Sequence, residues 1–309
     1  MRTVFMGAVE GSRAALAEIC AAGQVPELIV TLPPELAARH SDYADLAPLA
    51  AQYGIPVHCT ARSGSAETLA ALSAIEPDLV MVIGWSQLCG EDFRAIPRLG
   101  CLGFHPSALP RLRGRGVIPW TILLGEREAG ATLFWLASGT DDGPVAAQAL
   151  YALDPETVTA RELYDRAITA LAEMLPLLLA RIAAGDVPAA PQPAGGASLC
   201  ARRRPEDGRI AWTRPAAEIH RLIRAAGPPY PGAFTETAAG KRLVLTAVRH
   251  CPRQGYYIGL PGQVQAVAED HFTVACGDRR CLDILEWSGA PVPPLHSKLG
   301  GPQPEGAPR

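Results

Sequence analysis

The apolar run Leu79–Ile83 constrains the fold of this chain most, because all five of its residues are hydrophobic. A short continuous run of this kind is typical of a strand that a parallel sheet buries on both faces. Shorter apolar runs come before it, at Val4–Met6 and Leu28–Val30, and helix-like stretches separate the three. Strands that alternate with helices predict an open α/β sheet, whose binding sites lie beyond the carboxyl ends of the strands.

A later run, Cys101–His105, predicts a strand that ends in a histidine. Pro106 follows it, and a residue that precedes proline disfavours the helical conformation. Two further apolar runs, Thr132–Leu136 and Val145–Leu150, are predicted to be neighbouring strands that flank a carboxylate loop containing Asp141. A histidine at a strand end, faced by an aspartate from a neighbouring loop, is a general acid/base arrangement. The carboxylate orients the imidazole and stabilises its charged form.

Three segments in this order resemble the folate-dependent formyltransferase family. That family carries Asn-x-His-Pro-Ser-Leu-Leu-Pro, then Arg-Gly, then Asp-x-Gly-(Asp/Pro). The corresponding segments here are Gly103–Pro110, which reads Gly-Phe-His-Pro-Ser-Ala-Leu-Pro, then Arg113-Gly114, then Asp141–Pro144. The resemblance implies transfer of a formyl group from 10-formyltetrahydrofolate to an amine. The asparagine of the family falls on Gly103, which has no side chain.

The resemblance also implies the residues of the site, with no metal ion among its components. The catalytic residues are His105 and Asp141, together with the Gly103 position. The pocket for the folate cosubstrate is formed by two loops, with the residues Ile83, Gly84, Trp85, Ser86, Leu88, Gly139, Thr140 and Asp142. The substrate-binding residues are Ser107, Arg113, Gly114, Arg115 and Trp120. The Arg113–Gly116 segment is expected to be a flexible cationic loop, whose guanidinium groups match carboxylate or phosphate groups.

The glycine at position 103 leaves the oxyanion donor of the reaction open. Formyl transfer to an amine passes through a tetrahedral oxyanion, and a hydrogen-bond donor must face it. Three replacements are conceivable: protonated His105, a backbone N–H exposed by the small Gly103, or the side chain of Ser86 or Gln87. Two alternatives to formyl transfer also follow from the missing asparagine. The protein could catalyse an altered acyl or one-carbon reaction, or it could bind folate without catalysis.

The domain organisation follows from a Pro/Ala/Gly stretch at residues 187–198, predicted to be a linker. It separates a catalytic domain, residues 1–186, from a C-terminal domain, residues 199–288. Residues 289–309 are Pro/Gly-rich and predicted to be a disordered tail. Before the linker, Thr159–Glu162 is a capping box that opens a long helix.

The C-terminal domain contains several short strands spaced by turns, which predict a small barrel. Asp207–Ile210 and Pro231–Phe234 in this half resemble the C-terminal domain of tRNA and sugar-nucleotide formyltransferases. The predicted fold class is therefore α/β. It consists of a Rossmann-like open, mostly parallel sheet with a smaller barrel-like, OB-like domain.

The distribution of charge helps to distinguish between a small amine and a tRNA as the acceptor of the formyl group. Residues 201–309 contain 15 Lys and Arg against 10 Asp and Glu, a net of +5, whereas the whole chain has a net charge of -3. The first acceptor considered is a small amine, either a nucleotide-linked amino sugar or a natural-product amine. The Gly-Phe-His form and the aromatic Thr132–Leu136 strand resemble the sugar-modifying branch of the family. The alternative is initiator methionyl-tRNA, whose branch has a long basic loop after the second strand. Here Pro33–Asp45 contains one Arg and no Lys.

The eight cysteines are scattered without a Cys-x-x-Cys pair, a pattern typical of reduced thiols in a cytoplasmic protein. The early acidic Glu10 favours a first strand over a signal peptide. The longest apolar helix, near Leu163–Ala184, carries Glu173 and Arg181, so no membrane span is expected. The sequence is also compatible with a homodimer.

Overall fold

The apolar runs named above all form strands in the structure, a computed structural model that describes residues 1–39 and 41–300. The strands are β1 Thr3–Met6, β2 Leu28–Thr31, β3 Val57–Cys59, β4 Leu79–Val82, β5 Gly100–His105, β6 Arg113–Gly114, β7 Glu128–Trp135, β8 Val145–Ala152, β9 Leu199–Cys200, β10 Ala233–Glu236, β11 Arg242–His250, β12 Val264–Val267, β13 Phe272–Ala275 and β14 Cys281–Ser288. The helices are α1 Glu10–Ala21, α2 Ala47–Tyr53, α3 Ala66–Ile75, α4 Glu91–Arg94, α5 Val117–Leu123, α6 Ala160–Ala183 and α7 Ala216–Ala226, with 3₁₀ turns at Pro34–Arg39 and Pro205–Gly208.

The larger sheet has seven strands in the order β3-β2-β1-β4-β5-β7-β8. The first five are mutually parallel, and β7 and β8 are antiparallel additions at one edge. The prediction of an open, mostly parallel sheet is confirmed. The strand β4 lies between β1 and β5, and its four residues are all buried, as expected for a central parallel strand.

Helices cover both faces of this sheet. On one face, Leu16 of α1 and Leu175 of α6 pack with Phe5, Met81 and other side chains that point to that side. On the other face, Leu72 of α3 and Phe93 of α4 pack with the alternate residues of the same strands. Successive strand residues point to opposite faces, so each central strand contributes to both cores.

The long helix α6 begins at the predicted capping box. The Thr159 Oγ1 accepts a hydrogen bond from the Glu162 backbone N–H at 3.3 Å, and the Glu162 carboxylate accepts one from the Thr159 backbone N–H at 2.9 Å. These two bonds satisfy N–H groups that lack partners within the helix, and the predicted helix start is confirmed.

The smaller sheet is antiparallel, with five strands in the order β10-β11-β14-β13-β12. Helix α7 packs Ile219 and Ile223 against it, with Phe272 and Leu282 among the buried residues of this second core. The strand β10 begins directly after Pro231-Gly232.

The segment 296–300 runs between the two edge strands of the smaller sheet. Toward β12, the His296 N–H donates to the Val264 carbonyl at 2.9 Å, and the Leu299 N–H donates to the Gly262 carbonyl at 2.8 Å. Toward β10, the Gly300 N–H donates to the Glu236 carbonyl at 2.8 Å. The segment thereby gives the sheet its barrel-like closure, as the fold class predicted.

Part of the predicted disordered tail is thus ordered. Leu299 is 3% exposed and belongs to the core of the smaller sheet. The sequence did not predict this ordered segment. It is rich in Pro and Gly, and a segment that bonds only to the two edge strands of a sheet does not need a periodic pattern of hydrophobic residues. The rest of the predicted tail, residues 301–309, lies outside the described residues.

The chain divides into two compact units. The first comprises Met1–Val117, Glu128–Leu153 and Tyr164–Ala201, and the second comprises Ile118–Arg127, Asp154–Leu163 and the chain from Arg202 on. The stretch 187–198, predicted to be a linker, belongs to the first unit. Across residues 1–39 and 41–300, no helix is both long enough and apolar enough to cross a membrane.

Candidate active site

His105 ends β5 at the carboxyl edge of the larger sheet, and it is 5% exposed. Because side chains alternate along a strand, His105 shares its face of the sheet with Gly103. The strand lies between parallel β4 and antiparallel β7, and His105 is paired with Thr132 of β7. The histidine side chain therefore stands on a rigid element.

Both ring nitrogens of His105 face oxygen atoms. The Nε2 is 2.7 Å from the carbonyl of Leu112, which can only accept, so Nε2 carries a hydrogen and donates it. The Nδ1 is 3.5 Å from Oδ2 of Asp141, whose side chain is 23% exposed. The structure brings together the two residues that the sequence named as an acid/base pair. Only the doubly protonated ring can donate to both oxygens.

Two residues with left-handed backbones hold these oxygens in place. Leu112 has φ of 55° and Asp141 has φ of 50°, a region that costs free energy for residues other than glycine. The Asp141 carboxylate also accepts a hydrogen bond from the Gly114 N–H at 2.8 Å. Such conformations persist where surrounding bonds determine them, and they concentrate at functional sites.

A side chain at Gly103 would require its neighbours to move. A Cβ built on it would lie 2.6 Å from Cδ2 of Leu136 and 3.1 Å from the ring of Phe134. The backbone N–H is engaged as well. The Leu136 N–H donates to the Cys101 carbonyl, and bonded pairs alternate along antiparallel strands, so the Gly103–Phe134 pair is also a bonded one.

Half of the Arg113–Gly116 segment, which was expected to be a flexible loop, is a strand, and other parts of the first unit hydrogen-bond to the segment. Arg113 and Gly114 form β6, which pairs with β9. The Arg113 guanidinium donates to Oε1 of Gln192 from Nε at 3.1 Å and from Nη2 at 2.6 Å. Arg115 is exposed and donates from Nη2 to the Ser86 carbonyl at 2.9 Å. The partners of this segment are distant in sequence, so local composition could not indicate them.

The loop after β4 contains most of the predicted cofactor-binding residues. Ile83 is fully buried, and its carbonyl accepts from the Ser12 hydroxyl at 2.6 Å. Gly84 has φ of 69° and lies against Val9. The Trp85 indole nitrogen is buried and has no hydrogen-bond partner in the described chain. Leu88 is 76% exposed. This loop therefore contains an exposed apolar side chain, Leu88, and a buried N–H donor, that of Trp85, without an acceptor in the described chain.

The remaining predicted residues lie at three places. Gly139 and Asp142 are exposed and Thr140 is half-buried, all in the loop that carries Asp141. Ser107 is buried, and its hydroxyl donates to the Arg111 carbonyl at 2.9 Å, so this hydroxyl stabilises the His-Pro segment. Trp120 belongs to the second unit, where the Arg203 guanidinium lies over its ring at 5.4 Å from the centroid.

Sequence reasoning missed three participants in this site. They are the Leu112 carbonyl and the side chains of Gln192 and Ser198. A backbone carbonyl leaves no mark in a sequence, and the other two lie in the stretch predicted to be a linker. For metal ions, the described ranges contain no group of three or more His, Cys, Asp or Glu able to hold one.

Comparison with known proteins identifies the family. The model of the formyl transferase family matches residues 26–179, and the model of its C-terminal domain matches residues 203–291. This chain belongs to the formyl transferase family. The resemblance drawn from the His105 and Asp141 motifs is confirmed, and the formyltransferase is an enzyme of one-carbon group transfer.

The similar proteins carry names that mention different molecules. The chain is 34% identical over 286 residues to methionyl-tRNA formyltransferase of Symbiobacterium thermophilum, covering 91% of this chain and 86% of that protein. Among solved structures, the N-formyltransferase from Helicobacter canadensis, in complex with folinic acid and dTDP-3-aminofucose, aligns with a TM-score of 0.64 at 18% identity. That alignment covers 92% of this chain and 99% of the other.

HypX from Aquifex aeolicus, in complex with tetrahydrofolic acid, aligns with a TM-score of 0.65 at 18% identity over 94% of this chain. The formyltransferase spans 44% of the HypX chain, which is less than half its length. At these identities the two structural likenesses establish a shared fold.

Proposed function

We propose that this formyltransferase moves a formyl group from 10-formyltetrahydrofolate to the amine of a small substrate, either a nucleotide-linked amino sugar or a natural-product amine. One observation carries the proposal. The His105 ring, at the carboxyl end of β5, lies between the Leu112 carbonyl at 2.7 Å and the Asp141 carboxylate at 3.5 Å. This is the geometry of a general acid/base group with an orienting carboxylate.

The residues after β4 fit a folate cosubstrate. The buried Trp85 N–H has no partner in the described chain, and a pterin ring presents nitrogen and oxygen acceptors to such a donor. When bound, the cosubstrate supplies an activated formyl carbon. The loops Ile83–Leu88 and Gly139–Asp142 would hold it, because they lie beside the strand that carries His105.

The proton transfer can be assigned to one atom. The reaction joins the acceptor nitrogen to the formyl carbon, breaks the bond from that carbon to the folate nitrogen N10, and moves one proton from the acceptor nitrogen to N10. His105 Nε2 is committed to Leu112, so Nδ1 exchanges the proton. Asp141 stabilises the ring while Nδ1 holds it.

Both N–H groups of a charged His105 face protein oxygens, so the charged ring can donate to the oxyanion only by sharing its Nδ1–H with Asp141. The Gly103 side-chain space is filled by Leu136, and its N–H belongs to the β5–β7 ladder. The Gln87 amide donates to the Ala61 carbonyl at 2.7 Å, so it is engaged elsewhere. Ser86 remains the alternative donor.

The segment after β2 favours a small acceptor. Residues 33–45 contain three acidic residues against one arginine and no lysine. The segment is tied down: the Asp42 carboxylate accepts from the Tyr164 hydroxyl at 2.5 Å, and the Asp42 carbonyl accepts from the Glu10 N–H at 2.9 Å. Binding to a polyanion depends on Lys and Arg contacts with phosphates, which this segment does not supply.

Methionyl-tRNA is the second candidate acceptor. The 34% identity to a methionyl-tRNA formyltransferase across nearly the whole chain favours it. The net charge of +5 over residues 201–309 favours it as well, since such a surface attracts phosphates.

The test measures tetrahydrofolate release from 10-formyltetrahydrofolate with nucleotide-linked amino sugars, small amines and methionyl-tRNA as separate acceptors. We expect turnover with an amino sugar or small amine. His105→Ala and Asp141→Asn should each lower kcat/KM by about 10²- to 10⁴-fold, the usual contribution of a positioned acid/base group. The matched control is His271→Ala, which alters a partly exposed histidine of the second unit.

Three outcomes would change the conclusion. Equal turnover by the parent and His105→Ala would remove His105 from the mechanism. Turnover with methionyl-tRNA alone would establish the second candidate. Folate binding without turnover on any acceptor would leave a non-catalytic folate-binding protein.

A further inference from the structure

The predicted linker packs as part of the active-site unit. We define the crossover segment as residues 190–200. It begins with a reciprocal pair of hydrogen bonds between Ala190 and Val145, at 2.7 and 2.8 Å, and it ends as β9, which pairs with β6. Val145 lies four residues after Asp141, and β6 begins directly after Leu112. The segment therefore contacts residues close in sequence to both partners of the His105 ring, Asp141 and Leu112.

Gln192 joins the Asp141 loop to β6. Its Nε2 donates to the carbonyls of Asp141 and Gly143, each at 2.8 Å. Its Oε1 accepts two bonds from the Arg113 guanidinium, at 3.1 and 2.6 Å. The half-buried amide thus uses both N–H groups and its oxygen within one network. Such a network determines the conformation of the loop on which Asp141 stands.

Ser198 acts in the same way on the other partner. Its Oγ accepts from the Leu112 N–H at 2.8 Å, and its carbonyl accepts from the Arg113 N–H at 2.8 Å. The Leu112 carbonyl is the one that receives the His105 Nε2 proton. The crossover segment therefore reaches both oxygens that flank the imidazole, one through Gln192 and the other through Ser198.

We infer that Gln192 and Ser198 are positioning residues that hold the Asp141 carboxylate and the Leu112 carbonyl at the two nitrogens of His105. The left-handed backbones of Leu112 and Asp141 explain why anchors are needed, since each residue would relax to a lower-energy conformation without them. For catalysis the inference rests on the proposed function. For the geometry of the His105 ring it stands independently.

The first experiment uses kinetics of the full chain. Gln192→Met keeps the length of the side chain and removes its hydrogen bonds. We expect kcat to fall by about 10- to 10²-fold, the effect of a small misplacement of catalytic groups, with KM changed far less. The matched control is Gln254→Met in the second unit. Gln254 also donates from one Nε2 to two carbonyls, those of Cys251 at 2.7 Å and Cys281 at 3.1 Å.

A double-mutant cycle separates positioning from simple destabilisation. If Gln192 acts through Asp141, adding Gln192→Met to Asp141→Asn should lower kcat little further, because the position of an absent carboxylate no longer matters. Additive losses, in variants that unfold at the same urea concentration as the parent, would overturn the inference. Ser198→Ala should also lower kcat, and Ser198→Thr, which restores a hydroxyl, should recover most of the loss.

The second experiment does not require turnover. Nitrogen-15 NMR of histidine-labelled protein reports the hydrogen bonds of the two ring nitrogens of His105, with His105→Ala used to assign the signals. We expect both nitrogen signals to shift in Gln192→Met and Ser198→Ala and to stay unchanged in Gln254→Met. Unchanged signals in folded Gln192→Met would refute the inference. If instead the signals shift but no acceptor is ever formylated, the positioning role holds and the proposed function fails.

Discussion

At the scale of single residues, two apolar side chains decide what position 103 can be. Leu136 and Phe134 occupy the space next to Gly103, and no donor can be placed there without moving them. This arrangement separates the chain from the asparagine-containing motif it resembles. The oxyanion donor of the proposed reaction must therefore come from a group other than the residue at position 103.

Gly103→Asn should destabilise the protein. The new Cβ would lie 2.6 Å from Leu136, and overpacking of a buried site costs about 1–3 kcal/mol. The free energy of unfolding from urea titration measures this cost. In Gly103→Asn/Leu136→Ala the overlap is removed, so we expect the two single effects to be strongly non-additive.

The control for this substitution is Gly90→Asn. A Cβ at Gly90 meets no atom within 4 Å, and its φ of -63° suits any residue. Gly90 is also the N-cap of α4, a position that asparagine favours. Equal stability of Gly103→Asn and Gly90→Asn would show that the space beside Gly103 is larger than the structure gives.

The sequence predicted the site in part, and the missing part has a physical cause. His105 and Asp141 carry chemistry in their side chains, so the motifs revealed them. The Leu112 carbonyl acts through the backbone, and any residue type could supply it. Gln192 and Ser198 are recognisable only once β6 and β9 are paired, and two-residue strands have no periodicity to detect.

At the scale of elements, the periodic segments were predicted well and the bridging segments were not. Four of the five parallel strands, β1, β2, β4 and β5, follow from apolar runs, and α6 follows from a capping box. The segment 296–300 contains little hydrophobic pattern, yet it hydrogen-bonds to both edges of the smaller sheet. Its contribution to stability depends on Leu299, which reaches the core.

Leu299→Ala should destabilise the second unit by about 2–5 kcal/mol, the usual cost of truncating a buried leucine. Leu299 is 3% exposed, whereas Leu295, four residues earlier, is 53% exposed. Leu295→Ala is therefore the matched control and should change stability by about 0.5 kcal/mol or less. Urea unfolding followed by tryptophan fluorescence measures both, since Trp212 lies in the same core. Similar small effects for the two variants would mean that the segment does not close the barrel.

At the scale of the whole molecule, pH should act on stability through a buried histidine of the second unit. His220 on α7 is 7% exposed, and its ring lies 4.5 Å from that of His250. Burial, and then the charge of Arg224, lower the pKa of His220 from 6.5 to about 3. Arg224 donates from Nε to His220 Nδ1 at 3.3 Å, a bond that requires the neutral ring.

The sign of the pH effect follows from proton binding. Between pH 6.5 and about 3, the unfolded chain binds a proton at His220 and the folded chain does not. Stability should therefore fall as the pH is lowered through this range. For this group alone we expect a loss of about 2 kcal/mol between pH 7 and pH 5.

His220→Gln isolates this contribution, because glutamine can still accept from Arg224 and does not titrate. The free energy of unfolding is measured by urea titration at pH 7 and pH 5 for both proteins. The parent should lose about 2 kcal/mol more than the variant over this interval. If both lose the same amount, His220 keeps a normal affinity for protons in the folded state, and the acid sensitivity of the molecule has another source.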